Sequence, residues 1–482
     1  MKLQDLIQDI SIVSVHGSTD REILAVTFDS RKLSTGCLFV AISGSGVDGH
    51  KFIPQAEEGG ATAILCEQLP AKRKKEVCYI ETKNSRMAIA LIASEWYAHP
   101  SREIQLVGVT GTNGKTTIAT LLYKVNTGLG FKAGILTTIE VVINGKSYPA
   151  THTTPDPMEI NRWLREMVDQ GCEYCFMEVS SHAASQHRIG GLTFRGAIFT
   201  NLTQDHLDYH KDFREYLEAK KSFFDQLDKK AFALTNSDDK NGLVMLQNCD
   251  AQKYSYGLTR MTDFSAKILE ARFEGMGILI NGKEVWVRLT GRFNAYNILA
   301  VYAASVLLGQ DEDQVLQELS NVGSVEGRFE IRKGKRGSLA ILDYAHTEDA
   351  LKNVLETIHE VNREKAGIIT VVGAGGARDR SKRPKMGKVA AELSTTLILT
   401  SDNPRNEDPN TIMEEMERGV PENKREQVLK IVDREEAIKT ACMLAGPGSI
   451  ILVAGKGHEK YQEVNDLRRP FDDKAIIDKY LK

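Results

Sequence analysis

No stretch of this chain approaches the ~20 consecutive apolar residues that cross a bilayer. Its first residues, Met1-Lys2-Leu3-Gln4-Asp5, lack the basic segment and apolar core of a secretory leader. Membrane insertion and export are not expected, and the expected location is the cytoplasm. Charge of one sign is scarce too: 62 Lys and Arg face 65 Asp and Glu, a formal net charge of −3. That balance gives no electrostatic footprint for nucleic acid or an anionic membrane. Aromatic residues, 7% of the chain, do not alternate with basic runs. Seven cysteines, an odd number in a long chain without a leader, read as reduced thiols. Cys172 and Cys175 form a lone Cys-x-x-Cys with no second pair to complete a metal site. They read as two small residues entering a strand. Internal repeats and low-complexity segments are also missing.

What is present is ordinary globular composition, 41% apolar and 26% charged over 482 residues. This is too long for one hydrophobic core, so two to four domains are expected. Three blocks stand out. The first, residues 1–98, has strand-like runs at Ile23 to Phe28, Cys37 to Ile42 and Ala61 to Cys66. His99-Pro100-Ser101 punctuates the chain before the second block, residues 99–327. That block has strand candidates at Tyr174 to Val179 and Ala197 to Thr200 and an apolar helix at Tyr296 to Leu308. The third, residues 328–482, alternates strands (Leu339 to Leu342, Ile368 to Val372, Leu397 to Thr400, Ile450 to Val453) with helical stretches. Such alternation marks a parallel α/β sheet.

Leu106-Val107-Gly108-Val109 runs into Gly111-Thr112-Asn113-Gly114-Lys115-Thr116-Thr117, with a helix-like stretch behind it. Strand, glycine turn, lysine and helix together predict a triphosphate-binding loop. Glycines let backbone N–H groups turn inward around phosphate oxygens, and the helix N-terminus faces the same anion. Lys115 reaches the outer phosphates and the Thr116 hydroxyl ligates Mg²⁺. The strict eight-residue pattern is not met, because it needs Gly where Val109 stands.

In the last block every polar cluster follows a strand: Asp343-Tyr344-Ala345-His346, Gly373-Ala374-Gly375-Gly376, Asp402-Asn403-Pro404-Arg405 and Gly455-Lys456-Gly457-His458-Glu459. Ligands of open α/β sheets bind outside the carboxyl ends of the strands, so these loops predict one site. Their Arg and Asp content suits a zwitterionic or carboxylated ligand. In the middle block Glu178 ends a strand and, with Thr116, meets the small protein requirement of nucleotide-bound Mg²⁺. His206 and His210, four apart, are spaced for a metal pair on a helix; without a third ligand, two exposed polar histidines are the plainer reading. Within Phe213 to Leu227, Lys220 falls inside an apolar stripe while Lys221 points away. Lys220 either snorkels to water or is a buried amine, reactive or covalently modified.

Taken together these motifs resemble the Mur ligase family, the ATP-dependent amino-acid-adding enzymes of peptidoglycan precursor synthesis. The ordered matches are Gly111 to Thr117, Thr153-Thr154-Pro155-Asp156, Glu178 to His182, Asn201 to Asp208, Ala219-Lys220, Gly327-Arg328-Phe329-Glu330 and Asp343 to His346. They span nearly the whole chain. The resemblance implies an α/β fold of three domains: a UDP-substrate domain, a central P-loop-type ATPase domain and a C-terminal doubly wound, Rossmann-like domain for the added amino acid. Within the family the chain is most similar to members that extend UDP-N-acetylmuramoyl-L-alanyl-D-glutamate.

By this resemblance Asn297, Arg328 and Asp343 join the phosphate loop in binding ATP. Ser30, Thr153, Thr154, Ser180, Gln186 and Arg188 take the UDP-linked substrate. Lys220, as a carbamate, helps His206 hold a second Mg²⁺ beside the Thr116 and Glu178 site. Arg378, Asp402, Asn403, Pro404, Arg405, Gly455 and Glu459 form the amino-acid pocket. Arg at the fourth position of Asp402 to Arg405 goes with meso-diaminopimelate rather than L-lysine in the family. The physics agrees, since a guanidinium fork suits the second carboxylate that lysine lacks. Glu459 suits the distal ammonium.

Two departures are visible: Ala377 replaces an acid in the glycine-rich loop, and Glu348 stands where the family commonly has Pro, so the helix start there is expected to differ. The implied chemistry activates the D-glutamate side chain as an acyl phosphate, then forms an amide. Lys115, Glu178, His206 and Lys220 are the expected catalytic set, with a hinge at Gly327-Arg328, small-molecule partners and a monomeric state. The alternatives are a sister ligase adding lysine, a dipeptide or folate glutamates, a P-loop switch or kinase, and a non-catalytic UDP-sugar binder.

Overall fold

Apolar runs bounded by turns become the strands of three large sheets, beside one two-stranded hairpin, in the computed structural model, which describes residues 1–44, 47–205, 209–334 and 337–481. The first sheet has the order Ile12–His16, Cys78–Thr82, Ala63–Cys66, Cys37–Val40, Ala25–Thr27. Its two central strands, Ala63–Cys66 and Cys37–Val40, are buried throughout. The expected strand at Ile23 to Phe28 shrinks to Ala25–Thr27. Ile12–His16 was not expected: it is an antiparallel edge strand whose side chains mostly face solvent, so no buried face marks it.

The second sheet has eleven strands centred on Gln105–Thr110, which pairs in parallel with Tyr174–Glu178 and Gly196–Phe199. Covered on both faces, Gln105–Thr110 reads as a nearly unbroken apolar run. Antiparallel strands extend both edges: Glu140–Ile143 and Lys146–Pro149 at one, Gly275–Ile280 and Lys283–Val287 at the other. The apolar helix spans Arg292–Leu307 and is buried over most of its length.

The third sheet contains all four expected strands, as Leu339–Asp343, Ile368–Val372, Thr396–Leu399 and Ile450–Ala454. Ile450–Ala454, the last in sequence, lies between Leu339–Asp343 and Ile368–Val372. Its alternation divides the core: Ile450 and Leu452 face one helical layer, Ile451 and Val453 the other. Helices therefore cover both faces, as in a doubly wound domain. Three domains follow the three sheets. The replacement of Pro by Glu348 leaves the helix start intact. The helix is Glu348–Val361, the Thr347 hydroxyl accepts from the Ala350 N–H at 3.3 Å, and an acid suits the first turn. Among the described residues no helix is long and apolar enough to cross a membrane.

Candidate active site

The central strand ends in a turn that only glycine accommodates at two points. Gly111 has φ +148° and a Cβ there would collide with the Thr200 hydroxyl. Gly114 has φ +90°, with Asn297 Oδ1 only 2.7 Å from where its Cβ would stand. Helix Lys115–Gly128 starts directly behind. Lys115 Nζ donates to the Gly111 and Thr112 carbonyls, both at 2.9 Å. Lys220 Nζ donates to the same Gly111 carbonyl at 2.9 Å and lies 4.7 Å from the Tyr216 ring centroid. Burial pushes both amines below the usual lysine range, and Lys115 pushes Lys220 down further. Of the two sequence readings of Lys220, the buried amine holds: it is 1% exposed. Lys221 does not point away, because it is buried too and pairs with Asp225 at 2.5 Å.

Glu178 lies across the loop. Its Oε1 accepts from the Thr116 hydroxyl at 2.8 Å, the Thr138 N–H at 2.8 Å and the Thr138 hydroxyl at 3.2 Å. Arg328 Nη2 donates to Thr116 Oγ1 at 3.1 Å, and its guanidinium sits 4.4 Å from the Tyr344 ring centroid. Arg328 thus ties the domain junction to the first turn of the phosphate-loop helix. Asp343 faces the same space, but its two oxygens accept from the Phe329 and Ala345 N–H groups, each at 2.7 Å. It fastens the junction turn, where Phe329 has φ +47°.

A cavity of about 640 Å³ brings these groups together. Asn113 to Thr117, Asn297, Arg328 and Asp343 line it on the nucleotide side, with Lys220 and Glu178 deep within. Thr153, Thr154, Ser180 and Arg188 form another wall. Thr154 Oγ1 donates to the Glu178 carbonyl at 2.8 Å, and Arg188 donates to the Thr154 carbonyl at 2.8 Å and to Gln186 Oε1 at 3.0 Å. Ser30 is not part of this wall; it opens a short turn in the first domain. His206 lies outside the described residues. His210 is not an exposed histidine: it is 1% exposed, with Nε2 3.0 Å from Ser181 Oγ, and residues 209–212 are not helical. Among the described residues no cluster of three or more His, Cys, Asp or Glu is placed to hold a metal. The Thr116–Glu178 pair, with phosphate oxygens, still fits the sparse protein ligation of a nucleotide-bound Mg²⁺.

From the last domain, Arg378 lines the cavity. The other expected pocket residues do not line it; Glu459 is linked to it through Tyr344, whose hydroxyl donates to Glu459 Oε1 at 3.4 Å. Asn403 Nδ2 donates to Glu459 Oε2 at 2.8 Å. Gly455, at φ +113°, allows Asp402 close approach, 2.6 Å from where a Cβ would sit. Burial alone would raise the Asp402 carboxyl, but Lys456 and Arg434 hold it below the usual range. The Arg405 fork is partly engaged: Nη1 donates to the Gly376 carbonyl at 2.7 Å, and Nε lies 3.3 Å from Glu463 Oε2. Pro404 packs its carbonyl against Gly376, where any Cβ would collide with it.

Three segments match known domains: residues 22–97 the Mur ligase family catalytic domain, 109–305 the Mur ligase middle domain, and 327–457 the Mur ligase glutamate ligase domain. The chain belongs to the Mur ligase family. Relatives from Parabacteroides distasonis (54% identical, 99% of this chain and 98% of theirs) and Cytophaga hutchinsonii (52%, 100% and 99%) are both named UDP-N-acetylmuramoyl-L-alanyl-D-glutamate--2,6-diaminopimelate ligase. A solved structure of a ligase of that name superposes with a TM-score of 0.70 at 29% identity, covering 100% of this chain and 98% of that one. A MurF ligase from Thermotoga maritima, solved with ADP, shares the fold at a TM-score of 0.62 and 19% identity, covering 90% and 93%.

The site of this Mur ligase also contains residues that no motif marks. Thr138 holds Glu178 from the end of strand Ala133–Leu136, and the rule that sites gather at strand ends would have found it. Asp349 accepts from the Asn113 side chain at 3.0 Å, linking the last domain to the phosphate loop. His346 lines the cavity with its Nδ1 2.9 Å from the Tyr344 carbonyl. Burial, aided by Lys382, holds its imidazole down to about 4. Lys456, in the Gly455 to Glu459 cluster that follows the last strand, is fully buried.

Proposed function

We propose that this Mur ligase is an ATP-dependent amide ligase that adds meso-diaminopimelate to the D-glutamate of UDP-N-acetylmuramoyl-L-alanyl-D-glutamate. The observation that carries the reading is one cavity walled by phosphate-loop amines and by Arg378 of the last domain, in a chain 54% identical to a relative of that name. The D-glutamate side-chain carboxylate attacks the γ-phosphorus of ATP, the bond to the bridging oxygen breaks, and ADP leaves. The diaminopimelate amine then attacks the acyl carbon, loses a proton and expels phosphate, leaving the amide. Both partners of the first step are anions, so Lys115 and Arg328 serve to neutralise charge as it develops. Mg²⁺, held by Thr116 and Glu178, supplies further neutralisation when bound.

The depressed basicity of Lys220 suits it to modification. As a neutral amine it adds to CO₂ and gives up one proton, becoming a carbamate whose negative charge fits a second cation beside Lys115. An acyl phosphate hydrolyses readily, so Arg328 and the Asn113–Asp349 bond serve to hold the last domain over the phosphate loop and exclude water. The reading goes with domain boundaries at residues 98 and 327, a monomer and a cytoplasmic location, where buried free thiols such as Cys175 stay reduced.

Phosphate release from ATP tests it, measured with the UDP-linked dipeptide and each amino acid in turn. The expected result is turnover with diaminopimelate. Turnover with lysine alone would overturn the specificity, and release without any dipeptide would point to a P-loop NTPase.

A further inference from the structure

Lys456 is completely buried, yet it lies in the proposed amino-acid loops rather than at the phosphate loop. Its Nζ donates to Asn403 Oδ1 at 3.0 Å and to Glu459 Oε2 at 3.1 Å, and sits 5.5 Å from the Tyr461 ring centroid. Asn403 Oδ1 also accepts from the Glu463 N–H at 2.9 Å. With its oxygen held by two donors, the amide must turn Nδ2 outward, and Nδ2 donates to Glu459 Oε2. Glu459 Oε2 therefore has two donors, Lys456 and Asn403. Among the described residues Oε1 has only the Tyr344 hydroxyl, at 3.4 Å, and Tyr344 itself lines the main cavity.

We infer that Lys456 is a positioning residue for substrate selection. By holding one oxygen of Asn403 and one of Glu459, it presents Glu459 Oε1 to the distal ammonium of the incoming diamino acid. The inference rests on the proposed function, because the ammonium belongs to diaminopimelate. A buried lysine that only stapled the loops together would need no shared link to the two side chains proposed to recognise the amino acid. Lys456 makes that link directly. The hairpin of Tyr461–Val464 with Leu467–Pro470 completes the hold through the Glu463 N–H.

The test measures steady-state kinetics of Lys456→Met and Glu459→Gln, singly and together. Lys456→Met is expected to raise the KM for diaminopimelate about tenfold, the order of one charge-assisted hydrogen bond, with the KM for ATP within about twofold of wild type. In the Glu459→Gln background the same change should raise KM no more than about twofold, since Lys456 acts through Glu459. ADP binding checks that each variant folds. If Lys456→Met does not fold, Lys456→Gln, which is smaller and still donates, should raise the KM about threefold. A folded variant with unchanged KM, or losses that simply multiply in the double variant, overturns the inference. Wild-type protein that ignores diaminopimelate overturns the proposed function and the inference with it, whereas wild-type turnover with an unchanged variant KM overturns the inference alone.

Discussion

Lys220 and Lys456 are almost equally buried, at 1% and 0% exposure, and yet their surroundings are opposite. Lys456 meets the Glu459 carboxylate and the Asn403 amide oxygen. Lys220 meets a carbonyl, the face of Tyr216 and the repulsion of Lys115, which outweighs the pull of Asp205. The contrast extends to whole regions. Around the phosphate loop Lys115, Lys220 and His346 are all held toward their neutral forms by burial. In the last domain buried cations have acids: Arg434 and Asp473, both fully buried, pair at 2.8 Å, and Arg383 pairs with Glu407 and Glu415. A buried charge with its counter-charge in place fixes a shape. A buried amine whose attraction to acids falls short of its burial is a site prepared for an anion that the protein does not itself provide.

The largest expected effect sets the two lysines against each other. Lys220→Met should lower ligation by about 10³-fold, roughly 4 kcal/mol of transition-state stabilisation. It should not lower the melting temperature of the nucleotide-free protein, because it removes a poorly solvated amine. Lys456→Met should do the reverse for stability, costing about 1–3 kcal/mol by taking from Asn403 Oδ1 and Glu459 Oε2 one of their two donors and leaving the carboxylate without its buried counter-charge. Phosphate release and thermal melts on the pair decide the matter. Equal melting losses would erase the distinction between an answered and an unanswered charge.

Next in size is Arg405, where the two kinds of region meet. It has φ +51°, donates to Gly376 and approaches Glu463, so part of its fork is engaged within the chain. Arg405→Ala should raise the KM for diaminopimelate about tenfold while leaving the KM for ATP near its starting value. Arg405→Lys should not restore it, since an ammonium lacks the planar fork. An unchanged diaminopimelate KM in Arg405→Ala would detach these loops from amino-acid recognition.

The contrast was half legible in the sequence. Gly111 to Thr117 is local: seven consecutive residues specify turn, lysine and helix start, so spacing alone exposed it. Lys220 was visible because it interrupts a helical apolar stripe, a period that survives without coordinates. Lys456 gave no such signal, because its partner Asn403 is 53 residues away and they meet only when two strand ends are brought side by side. The Asn113–Asp349 contact, 236 residues apart, depends on how the last domain sits on the middle one. Fold followed the same rule. The buried parallel strands of the last domain were placed to within a residue or so, whereas the solvent-facing edge strand Ile12–His16 was missed. Ser30 carried a role by resemblance alone, and the structure leaves it outside the cavity wall.

The last effect, absent at neutral pH, concerns His346, the third group of the cavity held toward its neutral form. Its folded value, about 4, lies below the ordinary 6.5, so the unfolded chain binds its proton first as the pH falls. Stability from this group is complete above about pH 6.5 and is lost progressively down to about pH 4. The slope is at most about 1.4 kcal/mol per pH unit. His346→Asn should flatten the melting profile by that one-proton slope between these limits and leave it unchanged above about pH 7. Retention of the full slope in the variant would assign the acid sensitivity elsewhere, and His458, held down to about 3 by burial, would be the group to change next. A flattened profile would extend the contrast from two lysines to a histidine of the same cavity.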